Sequence, residues 1–200
     1  MEKFFAENYL KCWKFAVECR WFFVFAFGFF SLMFLIGFAF PVFFRAEIFE
    51  FIATLMLEIE GKSTLGLIGF IFLNNLQATF MAMMLGVFFG IFPLLTCAVN
   101  GYLLGFVARE AVVSDGVFVM WNLLPHGVFE LPAVIFSIGV GLRLGVKVGI
   151  LVFRGSGVVG KKGKKVQYVF REGLRFFLFV VFPLLVVAGI IEGILVGLVN

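Results

Sequence analysis

The chain has 200 residues, of which 63% are hydrophobic, 19% aromatic and only 14% charged, with a net charge of +4. A water-soluble domain is roughly 45–50% apolar and about 25% charged, and a soluble fold of this size has no room to bury thirty-two phenylalanines. The solvent for most of the protein is therefore lipid. The expected fold class is all-α: a polytopic membrane protein, with a bundle of five transmembrane helices plus amphipathic interfacial helices in one membrane domain, residues 1–200.

Residues 1–20 carry seven charges spread along their length, unlike the short basic region and apolar core of a signal peptide. Lys3, Glu7, Lys11, Lys14 and Glu18 recur at spacings of three and four. They form one polar stripe, which predicts an amphipathic helix resting on the inner membrane surface. Cys12, Cys19 and Cys97 show no metal or redox spacing and read as free thiols. Residues 21–44 are uncharged and long enough for the first span, since a crossing takes about 20 residues. A second amphipathic helix comes next, at 46–60, with Glu47, Glu50, Thr54 and Glu58 on one side and Ile48, Phe51, Ile52, Leu55 and Ile59 on the other. Gly61 stops it, and Ser63 or Thr64 caps the second span. The uncharged run from Leu65 to Ala108 is about two spans long and breaks near Gly90–Pro93, giving spans at 65–89 and 93–108.

The fourth span is expected at 117–142. A basic cytoplasmic loop at 154–165 reads "RGSGVVGKKGKK", and anionic lipid headgroups are its expected partner. Gly155, Gly160 and Lys161 imitate the start of a phosphate-binding loop, but Lys162 stands where that motif needs Ser or Thr. The fifth span occupies 174–199, with Arg175 near its start and Glu192 inside it. Thirteen of the sixteen lysines and arginines fall in the amino-terminal segment and between Arg143 and Arg175. Positive residues stay inside, so the reading is a multi-pass plasma-membrane protein with its amino-terminus cytoplasmic and its carboxy-terminus outside. Partners are expected among lipids, other membrane proteins and a second copy of the chain, with no role for nucleic acid.

Small residues recur at every fourth place: Gly101 and Gly105, Gly141 with Gly145 and Gly149, then Gly189, Gly193 and Gly197. Helices in lipid associate through such faces, and Gly127 joins the expected packing set. The polar residues within the spans are few: Asn74, Asn75, Gln77, Asn100, His126, Glu130 and Glu192. Counted from the outer span ends, Asn74, Asn100, His126 and Glu192 fall roughly 10–14 Å deep. Carboxylates at that depth are costly and rarely face lipid, so the set is expected to converge inside the bundle. His126 and Glu130 share a helix face at i and i+4. Three uses fit the set. Amides and imidazole hydrogen-bond across helices. His126, Glu130 and Glu192 ligate a divalent metal, with zinc favoured by the donor set. Glu130 and Glu192 line a proton or ion path, although no ionisable residue continues it through the inner half of the spans.

The segment "LLPHGVFELPAVIFSIGVGLRLG", with "NGYLLG" at 100–105 and "IEG" at 191–193, resembles the stage II sporulation protein M family in span order, length and spacing. The resemblance implies that His126, Gly127, Glu130, Asn100, Gly101 and Glu192 are signature positions. In sporulating relatives it implies a part in forespore engulfment beside a membrane anchor and a peptidoglycan-degrading partner. The expected function is accordingly a non-enzymatic scaffold or partner-organising component of a membrane complex. A transporter or channel using Glu130 and Glu192 is the alternative. An intramembrane metal-dependent hydrolase is a third class, one that lacks a second histidine or an HExxH helix.

Overall fold

The structure, a computed structural model, describes residues 2–118, 124–153 and 159–199; for 124–126, 159–164 and 196–199 it describes the backbone alone. In lipid every backbone N–H and C=O must be satisfied locally, which a helix does within one segment. The described residues follow that rule as α1 (Glu2–Ala39), α2 (Arg45–Ile59), α3 (Thr64–Met84), α4 (Ile91–Asp115), α5 (Leu124–Phe153), α6 (Val159–Phe176) and α7 (Phe182–Val199). A 3-10 turn, Leu85–Val87, extends α3, and a π turn, Phe177–Val181, joins α6 to α7. Five stretches are long and apolar enough to cross a membrane: Glu2–Ala39, Thr64–Val87, Ile91–Asp115, Gly127–Phe153 and Lys165–Leu195.

The expected break between α3 and α4 is present. Phe89 and Gly90 take positive φ angles of 56° and 77°, which glycine adopts without strain. Pro93 then sits in the first turn of α4, where its missing N–H has no helical partner to lose. Ser63 caps α3 as its position suggests, accepting from the Gly66 N–H at 3.3 Å. The π turn has a similar cause. Pro183 lies just beyond it and cannot donate to the α ladder, and the Phe182 N–H reaches back five residues to the Phe177 carbonyl.

Four boundaries differ from the sequence reading. The interfacial helix of 1–20 and the first span are one uninterrupted helix, because no Gly or Pro separates them. Its first half does more than rest on lipid. Asn8, Cys12, Phe15 and Cys19 are buried, and Phe15 packs on Tyr168 and Phe176 of α6 with ring centroids 6.4 and 6.0 Å apart. At the other end, α4 runs past Arg109 and Glu110 to Asp115, beyond the expected end at 108. The fourth span is described from Leu124 and continues past Arg143 to Phe153, beyond the expected end at 142; residues 119–123 lie outside the described residues. Of the basic loop at 154–165, residues 154–158 are likewise outside the description, and from Val159 onward the backbone is helical. Val169, Glu172, Gly173 and Phe176 of α6 are buried, so packing overrides the helix-breaking weight of its glycines.

α5 lies at the centre, against α1, α3, α4, α6 and α7; α1 pairs with α4, and α3 with α7. Glycines set these close approaches. A Cβ at Gly105 would land on the Phe34 carbonyl of α1, and one at Gly101 would lie 2.8 Å from the Phe30 carbonyl. Gly189 and Gly193 face Phe72 and Ile68 of α3, and Gly141 and Gly145 face the α3–α4 turn. Gly127 departs from expectation: among the described residues nothing stands within 4 Å of its Cβ position, so it makes no close helix contact there. Gly149 makes only an ordinary contact with Phe89, and the surroundings of Gly197 lie outside the described residues.

Candidate functional site

The polar residues of the spans separate into two groups. Asn100 of α4 is exposed, like the α3 amides, but stands beside the glycine seam, and its amide donates to the Thr96 carbonyl of its own helix at 2.8 Å. The seam fixes α4 against α1. The Cys97 thiol donates to the Ala26 carbonyl at 3.4 Å, and the Tyr102 hydroxyl lies 2.9 and 2.8 Å from the Phe40 and Phe43 carbonyls. Glu130 of α5 is 8% exposed. Asn100 and Glu130 line one small cavity of about 30 Å³ together with Phe30, Leu104, Leu131 and Val134. That space holds about one water molecule, with an amide and a carboxyl to bind it. Pro132 lies inside α5 just beyond this point, and its missing N–H frees the Val128 carbonyl.

His126 falls four residues before Glu130 in the first turn of α5; its side chain is outside the described residues. The depth expected for His126 counts through residues 119–123, which lie outside the described residues. The α4 end at Asp115 puts Asn100 farther from its helix terminus than estimated. The shared cavity, not the count, brings Asn100 and Glu130 to one level. Glu192 of α7 is partly buried, and it is not among the described residues around that cavity. Among the described residues no three His, Cys, Asp or Glu side chains gather as a metal-ligand set.

The α3 amides do not join this group. Asn74 and Gln77 are exposed and Asn75 is partly buried. The buried side of α3 is instead Leu67, Thr79, Ala82 and Met83, with the Thr79 hydroxyl donating to the Asn75 carbonyl at 2.6 Å. Convergence of all the polar residues on one interior point is therefore corrected. Asn74 and Gln77, three residues apart, are neighbours on the exposed part of the helix surface, near the middle of the span Thr64–Val87.

A second polar group escapes sequence reasoning. Where the start of α1, the end of α5 and α6 meet, Arg143 is buried, donates to Glu18 at 2.5 Å and to the Cys19 sulfur at 3.2 Å, and lies over the Phe15 ring. Tyr168 donates to the other Glu18 oxygen at 3.1 Å. Glu172 is buried and takes hydrogen bonds from Arg171 and Arg175. One signal points to it: Glu172 is the only acid between Arg143 and Arg175, a region with nine cations.

The same stretch of chain that builds these helices matches known proteins. A family model described as Stage II sporulation protein M matches residues 21–196, from the start of the uncharged part of α1 almost to the end of α7. An uncharacterized protein of Methanocaldococcus jannaschii is 32% identical over 133 residues, covering 66% of this chain and 57% of the relative's own length. No solved structure matches. The match from α1 to α7, over the five stretches long and apolar enough to cross a membrane, makes this chain a member of the stage II sporulation protein M family.

Proposed function

We propose that the protein is a membrane scaffold that holds a transmembrane helix of a partner protein against α3. The observation that carries this reading is the exposure of Asn74 and Gln77 near the middle of a membrane-crossing helix. A primary amide left in hydrocarbon without a hydrogen-bond partner costs several kcal/mol. An interhelical hydrogen bond returns about 0.6–2 kcal/mol and removes that cost. Two such amides on one lipid-facing stripe are a surface suited to a polar residue on another helix. The family resemblance points the same way, through the engulfment machinery of sporulating relatives. With the basic end inside, as the positive-inside rule directs, the amino-terminus is cytoplasmic and α2 lies on the outer side.

The glycine seams supply what a scaffold needs, rigid spacing between α1, α4 and α5. The Glu130 cavity serves within that body as a one-water polar joint between α4 and α5. A solute path along α5 has less support: below Glu130 the helix buries Ala133, Ile135, Ile138, Val140 and Leu144, which close the way towards the basic end. A zinc ion on His126, Glu130 and Glu192 is the other use of these residues, and its support is the donor set itself.

The reading is tested by replacing both amides with leucine and solubilising native membranes mildly. Asn74→Leu/Gln77→Leu should retain the thermal stability of the single chain while losing a larger complex on native gels. An unchanged complex, or wild-type material that runs only as a monomer or a self-dimer, contradicts it.

A further inference from the structure

At the basic end of the bundle a recess of about 340 Å³ opens between α1 and α6, lined by Lys11, Lys14, Tyr168, Arg171, Glu172 and Arg175. Four cations face one carboxylate there. Glu172 is already shared by Arg171 and Arg175, while Glu18 is drawn towards Arg143 and Tyr168. Lys11 and Lys14 have no ion pair among the described residues. Like charges held this close repel one another, and an anion placed among them relieves that repulsion. The walls are fixed, not loose: Glu172 is 6% exposed, Phe15 packs on Phe176, and the Cys12 thiol lies 3.9 Å from the Arg175 carbonyl.

The chemistry of the recess selects the anion. Two guanidinium groups offer planar forks that match phosphate oxygens, and two ammonium groups add point charge. Its surroundings locate it at a membrane boundary. Trp13 and Trp21 on α1 are each 70% exposed, and Phe4, Phe5 and Tyr9 gather on Phe179 with ring centroids 5.9–6.3 Å apart. Aromatic residues of this kind mark the interface between headgroups and hydrocarbon, where basic pockets between helices bind lipid phosphates.

We propose that this recess binds the phosphate group of an anionic ligand, supplied by a lipid headgroup or by a soluble phosphorylated molecule. The proposal is independent of the α3 surface. The test uses the full chain in nanodiscs of phosphatidylglycerol mixed with phosphatidylcholine, with retained lipid counted by native mass spectrometry. A parallel arm measures the thermal shift caused by inorganic phosphate in discs of phosphatidylcholine alone. Each surface lysine contributes about five-fold to anion affinity, so Lys11→Gln/Lys14→Gln should lower retention of the anionic lipid roughly 25-fold. Arg171→Gln, at a largely exposed side chain, lowers it about five-fold, while Arg175 still pairs with the buried Glu172. Lys3→Gln/Lys147→Gln removes the same charge outside the recess and should leave retention near wild type. Selective loss in the lipid arm identifies a headgroup. A phosphate-dependent stabilisation that the recess variants lose identifies a soluble source. Equal retention in both double variants, with no response to inorganic phosphate, overturns the proposal.

Discussion

Gly105→Ala is the sharpest probe of the packing that positions the Asn100–Glu130 cavity. The added Cβ would overlap the Phe34 carbonyl oxygen and lie 2.9 Å from both the Phe34 carbonyl carbon and the Phe38 nitrogen. Ordinary contacts between heavy atoms sit at about 3.5–4.0 Å, so α1 and α4 would have to part by roughly 1 Å, enough to forfeit a quarter to a half of the dispersion attraction at each pair along the seam. Overpacking of this kind costs about 1–3 kcal/mol. Alanine also raises helix propensity by about 0.8–1.0 kcal/mol over glycine, which offsets part of that cost. Gly127→Ala supplies the control, since it gains the same propensity with nothing among the described residues within 4 Å to meet. The difference between the two variants isolates the seam. For a chain of 150–250 residues, 1–3 kcal/mol corresponds to a Tm gap of roughly 2–12 °C, with Gly105→Ala the lower. Thermal unfolding in one detergent measures it, and equal Tm values would refute the seam as the determinant of this helix pair.

The remaining expectations test other parts of the structure. Glu18→Gln weakens the pairing of a buried Arg143, so it should destabilise by about 1–3 kcal/mol in the same assay, whereas Lys14→Gln stays within about 0.5 kcal/mol; equal effects would deny the Glu18–Arg143 pair a structural role. Elemental analysis of protein purified without chelator should find no stoichiometric zinc if the Glu130 cavity holds water; about one zinc per chain, lost in Glu130→Gln and Glu192→Gln, would establish the metal site instead. Tyr102→Phe removes the hydroxyl that holds the Phe40 and Phe43 carbonyls and should cost about 0.5–1.5 kcal/mol; an unchanged Tm would show that this latch adds nothing. For orientation, the native cysteines are buried, so a cysteine at Lys62 reports on its own side. An impermeant maleimide should label Lys62→Cys in intact cells and leave Lys3→Cys unlabelled, and the reverse pattern inverts the topology.

Five stretches long and apolar enough to cross a membrane are legible in the sequence because long uncharged runs act locally and strongly. The glycine ladders are legible too: Gly101, Gly105, Gly189 and Gly193 all meet a neighbouring helix. Gly127 shows the limit, since a glycine beside prolines has the same signature whether or not a helix packs on it. Asn100 and Glu130 both stand out in the sequence, but their shared cavity depends on which faces α4 and α5 turn towards each other. Depth counted from span ends does not supply that, and the span ends themselves lie elsewhere. Depth alone also puts the α3 amides inside, because residue level carries no information on azimuth. The basic-end network is hidden for a different reason. Arg143 pairs with Glu18 across 125 residues and Tyr168 with Glu18 across 150, and such contacts leave no periodicity.

The scaffold reading rests on the α3 amide face, and photocrosslinking in native membranes tests it most directly. A photoreactive residue at Gln77 should form a discrete adduct with another membrane protein, and one at Leu95, exposed on α4, should react with lipid alone. Lipid adducts from both positions, in equal yield and with no protein partner, would contradict the account.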